Sequence, residues 1–152
     1  MALFKLDDGT EAVEAMVNEE LLDANKALLV EDELLIATGK LQTDRFSGGL
    51  RLTVNNLCDL AGARARFGRR LEVDVVAGAP PVADVLRTWP ARRVNSEAGE
   101  LVQGLQIRLR VQRRDAYAEM DLGDEWRFWP CDEALARWRG IAHEGRSRVV
   151  YE

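Results

Sequence analysis

A chain of 152 residues, 47% apolar and 31% charged, has the composition of a folded protein with one domain or two small ones that lean on each other. No apolar run approaches the roughly 20 residues that cross a bilayer, and the N-terminus lacks a signal-peptide pattern, so membrane and secreted classes fall away. The only histidine, His143, leaves no material for a histidine metal cage. Cys58 and Cys131 stand far apart and read as reduced thiols of a cytoplasmic protein.

The net charge of −5 is unevenly spread. Residues 1–58 carry 11 acids against 5 bases, residues 59–114 carry 6 against 11, and residues 115–152 carry 9 against 5. The middle block is basic through arginine alone, the side chain suited to bidentate pairing with carboxylate or phosphate.

In chain order, "ALFKLDDGTEAVEAMV" predicts a hairpin turning at Asp7-Asp8-Gly9-Thr10. Asn18 caps a helix expected from Glu19 to Leu29, with Glu19 and Glu20 in its first turn. "ELLIATGKLQTD" and "GLRLTVNNL" are two further strands joined by the loop "RFSG". The order strand, strand, helix, strand, strand matches an OB-fold barrel that lacks its first strand. "DLAGARARFGRRL" follows as a helical connector over residues 59–70, with Gly68 as its stop.

Beyond the connector, "LEVDVV" alternates as a strand, and Pro80-Pro81 opens a short helix through Trp89. "LVQGLQIRLRVQRR" places Leu105, Ile107, Leu109 and Val111 on one face of a half-buried strand. "AYAEMDLG" and "EWRFW" are its expected antiparallel partners. "CDEALARWRGIA" is a helix with Leu135, Trp138 and Ile141 inward, and "SRVVYE" closes the chain as a short strand. The expected architecture is α+β, mainly β. A partial barrel over 1–58 precedes a small α+β domain with an antiparallel sheet over 71–152.

Three pieces carry a resemblance: the hairpin "FKLDDGT", the loop "DRFSGGL" and the connector "ARARFGRRL". Together with the ending "WRFWPCDEALARWRGIA…SRVVYE", they resemble the C-terminal region of the alpha subunit of bacterial DNA polymerase III over nearly the whole chain. The resemblance implies an OB domain followed by a domain that binds the tau subunit of the clamp loader, in contact with other replicase subunits. The polymerase carboxylates and the internal clamp-binding peptide lie upstream in that family, so this chain looks like a non-catalytic fragment without cofactor or metal.

The residues themselves agree that catalysis is absent. Adjacent Asp7 and Asp8 before glycine are turn chemistry, because two-metal sites need carboxylates converging from separate strands. Ser47-Gly48-Gly49 leads into a strand rather than a helix N-terminus, and no phosphate loop, nucleophile elbow or zinc spacing is present. Two binding surfaces remain. Phe46 and Arg45 on the loop, with Lys5, Lys40 and Arg51 on flanking strands, could meet single-stranded DNA, a ring stacking on a base while cations follow phosphates. Alternatively Phe46 caps the barrel end, and the net charge of the first block opposes DNA. In the second half Trp126 and Trp129, three apart, should divide into one buried and one exposed. The tail residues Val149, Val150 and Tyr151 form either the last strand of the sheet or a ligand for another protein. The resemblance assigns Trp126 and this tail to tau. A free-standing single-strand-binding protein and an unrelated adaptor are the competing readings.

Overall fold

In the computed structural model the described residues are 1–78 and 81–152, and they divide into two compact units, Met1–Leu60 and Ala61–Glu152.

The first unit begins with β1 (Ala2–Asp7) and β2 (Ala12–Val17), paired antiparallel from Ala2–Val17 to Asp7–Ala12. Their turn is held by carboxylates acting as local acceptors. Asp8 Oδ1 takes bonds from the Thr10 hydroxyl (2.6 Å), Thr10 N (2.8 Å) and Glu11 N (2.9 Å), while Gly9 N donates to Asp7 Oδ1 at 2.8 Å. The Thr10 hydroxyl and then the backbone donors bring the Asp8 carboxyl down to about 2. Gly9 at φ +87° supplies the left-handed residue that the turn needs.

Asn18 caps α1 (Glu19–Ala24), its Oδ1 accepting from Leu21 N at 2.8 Å. The helix is shorter than expected. Asn25 closes it by donating its backbone N–H to Leu21 and Leu22, and a 3₁₀ turn over Lys26–Leu28 carries the chain on. Leu21, Leu22 and Leu29 pack against the first unit's core even though the α-helix stops early.

Next come β3 (Ile36–Thr43) and β4 (Leu50–Cys58), antiparallel to each other. Strand order is β1-β2-β4-β3 with β2 and β4 parallel, and the sheet is open rather than closed into a barrel. Thr38 faces Asn56 and Gly39 faces Val54, leaving Asn55 as the extra residue of a bulge. A Cβ at Gly39 would sit 2.1 Å from the Thr53 carbonyl oxygen, so the bulge brings two backbones too close for any side chain. Ala15, Val17, Val54 and Leu57 are the buried centre of this unit.

The second unit contains α2 (Leu60–Phe67), β5 (Arg70–Val76), α3 (Val82–Thr88), β6 (Arg92–Ser96), β7 (Gly99–Gln103), β8 (Gln106–Gln112), β9 (Tyr117–Asp121), α4 (Asp132–Ile141) and β10 (Ser147–Val150). Arg64 of α2 donates to Asp132 Oδ1 (2.7 Å) and the Pro130 carbonyl (3.0 Å), tying the connector helix to the start of α4. Gly68 ends α2 for a spatial reason. A Cβ there would lie 2.4 Å from Arg64 O and 2.5 Å from Leu105 Cδ2. Pro80 lies outside the described residues; α3 starts behind Pro81.

The main sheet has the order β10-β5-β8-β9. It is mixed rather than wholly antiparallel as expected: β10 pairs antiparallel with β5 and β9 with β8, but β5 and β8 run parallel. Leu71, Val73, Val75, Ile107 and Leu109 turn one face toward Val85 and Leu86 of α3 and Ala134 and Trp138 of α4. Phe128 meets Trp138 edge-on at 5.7 Å between ring centres.

Two elements differ from expectation. "EWRFW" is a 3₁₀ turn over Asp124–Trp126 followed by an extended piece, in which Phe128 bridges both Pro90 and Leu105. Residues 92–103 form a separate two-stranded hairpin, β6–β7. Its sequence, "RRVNS" and "GELVQ" around Glu97-Ala98, has a basic run and few apolar residues, which hide the period.

Candidate interaction surfaces

In the first unit the pairing register sets the positions of the predicted cations. Lys5, Glu14, Arg51 and Gln42 lie in one row across β1, β2, β4 and β3, and Lys40 is two residues along β3 on the same face. The fold therefore gathers Lys5, Lys40 and Arg51 on one outward face. Arg51 is already engaged, its Nε donating to Glu14 Oε1 at 2.7 Å and its Nη2 to Asp44 Oδ2 at 3.3 Å. Lys5 and Lys40 are exposed.

Arg45 and Phe46 sit at the tip of the β3–β4 hairpin. Asp44 organises that tip, accepting from Phe46 N, Ser47 N and the Ser47 hydroxyl (2.8 Å). The Ser47 hydroxyl first, then Phe46 N and the Arg51 charge, hold the Asp44 carboxyl below its usual range. Gly48 at φ +73° completes the turn. The loop is thus built from its own polar groups, and the Phe46 ring contributes nothing to it, being 99% exposed. It caps no barrel end.

In the second unit the two tryptophans divide as expected. Trp129 is buried under Arg92, whose guanidinium stacks 3.9 Å from the ring centre. Trp126 is 48% exposed on the wall of a groove of about 700 Å³. Leu86, Pro90, Ala91 and Val102 supply the rest of the apolar lining, and Arg87 and Arg93, with Asp124 and Glu125, a rim of mixed charge. The turn bearing Trp126 is pinned: Asp124 accepts from Gln106 Nε2 (2.8 Å) and Arg127 Nε (2.9 Å), and Arg127 Nη1 donates to the Gly104 carbonyl. The Gln106 amide and then Arg127 lower the Asp124 carboxyl.

The tail is a strand of the sheet. Arg69 N donates to Val150 O at 2.7 Å, Asp74 N to Arg146 O at 3.0 Å, and Val149 packs on the core. Tyr151 beyond it is 55% exposed. Val150 pairs with Arg70, Arg70 with Gln106, and Gln106 bonds Asp124, so the tail and the Trp126 turn share one end of the sheet. Of Trp126, Val149, Val150 and Tyr151, Trp126 alone lines the groove.

A charged lattice on the outward sheet face was not foreseen. Arg148, Glu72, Arg108 and Asp121 alternate in sign across β10, β5, β8 and β9, with Asp74, Arg110 and Glu119 in the next row. Glu72 is 7% exposed and receives Arg70 at 2.8 Å, Arg148 at 3.1 Å and Arg110 at 3.3 Å. Burial pushes its carboxyl up, but the hydrogen bonds from Arg70 and Arg148 outweigh this and hold it low. Strand alternation marked Glu72 as outward. That three arginines would cover it depends on β10 and β8 flanking β5, which no local pattern encodes. Among the described residues no group of three or more acids, cysteines or histidines could hold a metal ion. No helix among them is long and apolar enough to cross a membrane.

No family model matches the chain. Similarity to curated proteins nevertheless relates it, over about 90% of its length, to a C-terminal segment of a bacterial replicative polymerase. In each case that relative is DNA polymerase III subunit alpha. The chain is 29% identical over 135 residues to the Vibrio cholerae protein, covering 89% of this chain and 11% of that one. To the Escherichia coli K12 protein it is 30% identical over 136 residues, covering 90% and 11%, and to that of Pseudomonas aeruginosa 31% over 143 residues, covering 91% and 11%. The chain thus spans about a ninth of the length of these relatives.

Proposed function

We propose that this chain serves bacterial chromosome replication as a cytoplasmic, non-catalytic module of a polymerase III alpha subunit, docking the tau subunit of the clamp loader through its second unit. The observation that carries the reading is Trp126. A half-exposed indole on the wall of an apolar groove, on a turn fixed by Asp124 and Arg127, has the makings of an interface anchor. Val149 and Val150 support this surface as strand residues, and Tyr151 adds exposed aromatic area at the same end of the sheet.

Calorimetric titration of tau into the purified chain tests the reading. Trp126→Ala should cost about 2 kcal/mol or more of binding free energy with the fold unchanged. Truncating the tail would remove β10 and with it Arg148, so Tyr151→Ala is the cleaner second probe. Full affinity in both variants would discard this surface.

A second role rests on Phe46. We infer weak, local contact with single-stranded DNA by the first unit, an OB-like sheet, through Lys5, Lys40, Arg45, Phe46 and Arg51. A phenyl ring in full contact with water on a self-sufficient loop is poised for base stacking. Arg51 would take part only by leaving Glu14 or Asp44.

A further inference from the structure

We propose that the free edge of β9 is a strand-addition site for another protein, taking an extended segment in which lysine or arginine alternates with an apolar residue. β9 borders the main sheet of the second unit, and no strand among the described residues pairs with its outer side. Arg113 N donates to Ala116 O at 2.8 Å and Leu122 N to Ile107 O at 2.9 Å. Bonded pairs alternate along an antiparallel ladder, so Ala118 and Met120 also turn their backbone groups toward β8. The N–H and C=O groups of Tyr117, Glu119 and Asp121 therefore point away from the sheet, where an added strand can bond to them.

Charge selects the occupant. The two rows of alternating sign on the outward face end on this strand with acids, Asp121 beyond Arg108 and Glu119 beyond Arg110. Within the sheet, Glu72 has arginines on both sides, Arg148 from β10 and Arg110 from β8. Asp121 and Glu119 have a strand on one side only, and both draw on one guanidinium, Arg108, at 2.7 Å and 3.6 Å. Basic side chains at alternate positions of an added strand would continue both rows. Between the two acids Met120 turns to the other face, opposite Leu109 of the core, and is 52% exposed. The apolar residue of the incoming segment would cover it. Arg113 and Arg114 stand in the turn beyond Tyr117, at the end of the edge away from Asp121.

The same acids disfavour a second copy pairing edge to edge. Antiparallel β9–β9 pairing centred on Glu119 would oppose that residue to itself, and centred on Met120 it would oppose Glu119 to Asp121. Like charges directly opposite destabilise a strand pair. No residue of β9 lines the groove that carries Trp126, so this edge is distinct from the surface proposed for tau.

Residue-resolved hydrogen exchange of the intact chain tests this without DNA or tau, so its outcome is independent of the roles proposed above. The probe is a capped peptide of about nine residues in which lysine and valine alternate. Saturating peptide should slow exchange of the Tyr117, Glu119 and Asp121 amides at least tenfold, while Ala118 and Met120, already bonded to β8, change little. Glu119→Lys, a substitution at a half-exposed surface position, should weaken peptide binding at least tenfold at low salt. Unchanged exchange at those three amides would overturn the proposal. Equal protection by the same peptide N-methylated at every residue would show a contact of charges without a ladder, and overturn it too. A glutamate–valine peptide that protects equally would overturn the choice of a basic occupant. Protection that grows with protein concentration in the absence of peptide would give the edge to a second copy instead.

Discussion

Phe46 and Glu72 are opposite extremes of what one side chain can do for a fold. Phe46 touches nothing that the loop needs, since Asp44, Ser47 and Gly48 build the turn alone. Phe46→Ala should leave stability within about 0.5 kcal/mol of the parent. If the ring stacks on a base, the same change should weaken single-stranded DNA binding by about 1–3 kcal/mol, read by fluorescence anisotropy at low salt. Glu72, by contrast, is buried beneath three arginines. Glu72→Gln removes the charge that Arg70, Arg110 and Arg148 share and should cost about 3 kcal/mol in urea unfolding at neutral pH. Because the Glu72 carboxyl is held below its ordinary value of 4.5, its contribution is present above that pH and is lost as pH falls through the lower, folded value. Acidification should therefore narrow the gap between parent and variant. A gap that stays constant from pH 7 to pH 3 would show that the charge is not what Glu72 contributes.

At the level of elements, the bulge between β3 and β4 decides which residues face the core. Without it, Leu57 would share the outward face with Arg51, because a one-residue slip exchanges the two faces of a strand. Gly39 makes the bulge possible, and Gly39→Ala should destabilise the first unit by 2 kcal/mol or more, on the order of a bad core overpacking, since its Cβ would meet backbone rather than a mobile side chain. Circular dichroism melts would show it. The same bulge indicates what was legible in the sequence. Strands with strict alternation, such as Leu71-Val73-Val75 and Leu105-Ile107-Leu109, and the capped helix start at Asn18 were plain from local pattern. The hairpin β6–β7 was not, because "RRVNSEAGELVQ" has too few apolar residues for a period to stand out. The parallel pairing of β5 with β8 could not be read either, since register between distant strands has no local signature. For the candidate sites, residue type pointed to Phe46 and Trp126, while the engagement of Arg51 by Glu14 and Asp44 emerged only once β2, β4 and the loop were adjacent.

For the whole chain, the two units differ in composition as well as in topology. The first is acidic and sparing in core, and the second carries the arginine lattice and the larger apolar cluster. Every tryptophan and tyrosine lies beyond Leu60: Trp89, Trp126, Trp129 and Trp138, with Tyr117 and Tyr151. Intrinsic emission is therefore blind to the first unit. Its colour averages a half-solvated indole at Trp126, a partly buried one at Trp89, one quenchable by a stacked guanidinium at Trp129, and one wholly enclosed at Trp138. A fluorescence melt of this protein is a melt of its second unit alone, and a ligand that shifts that emission has declared on which side of Leu60 its influence arrives.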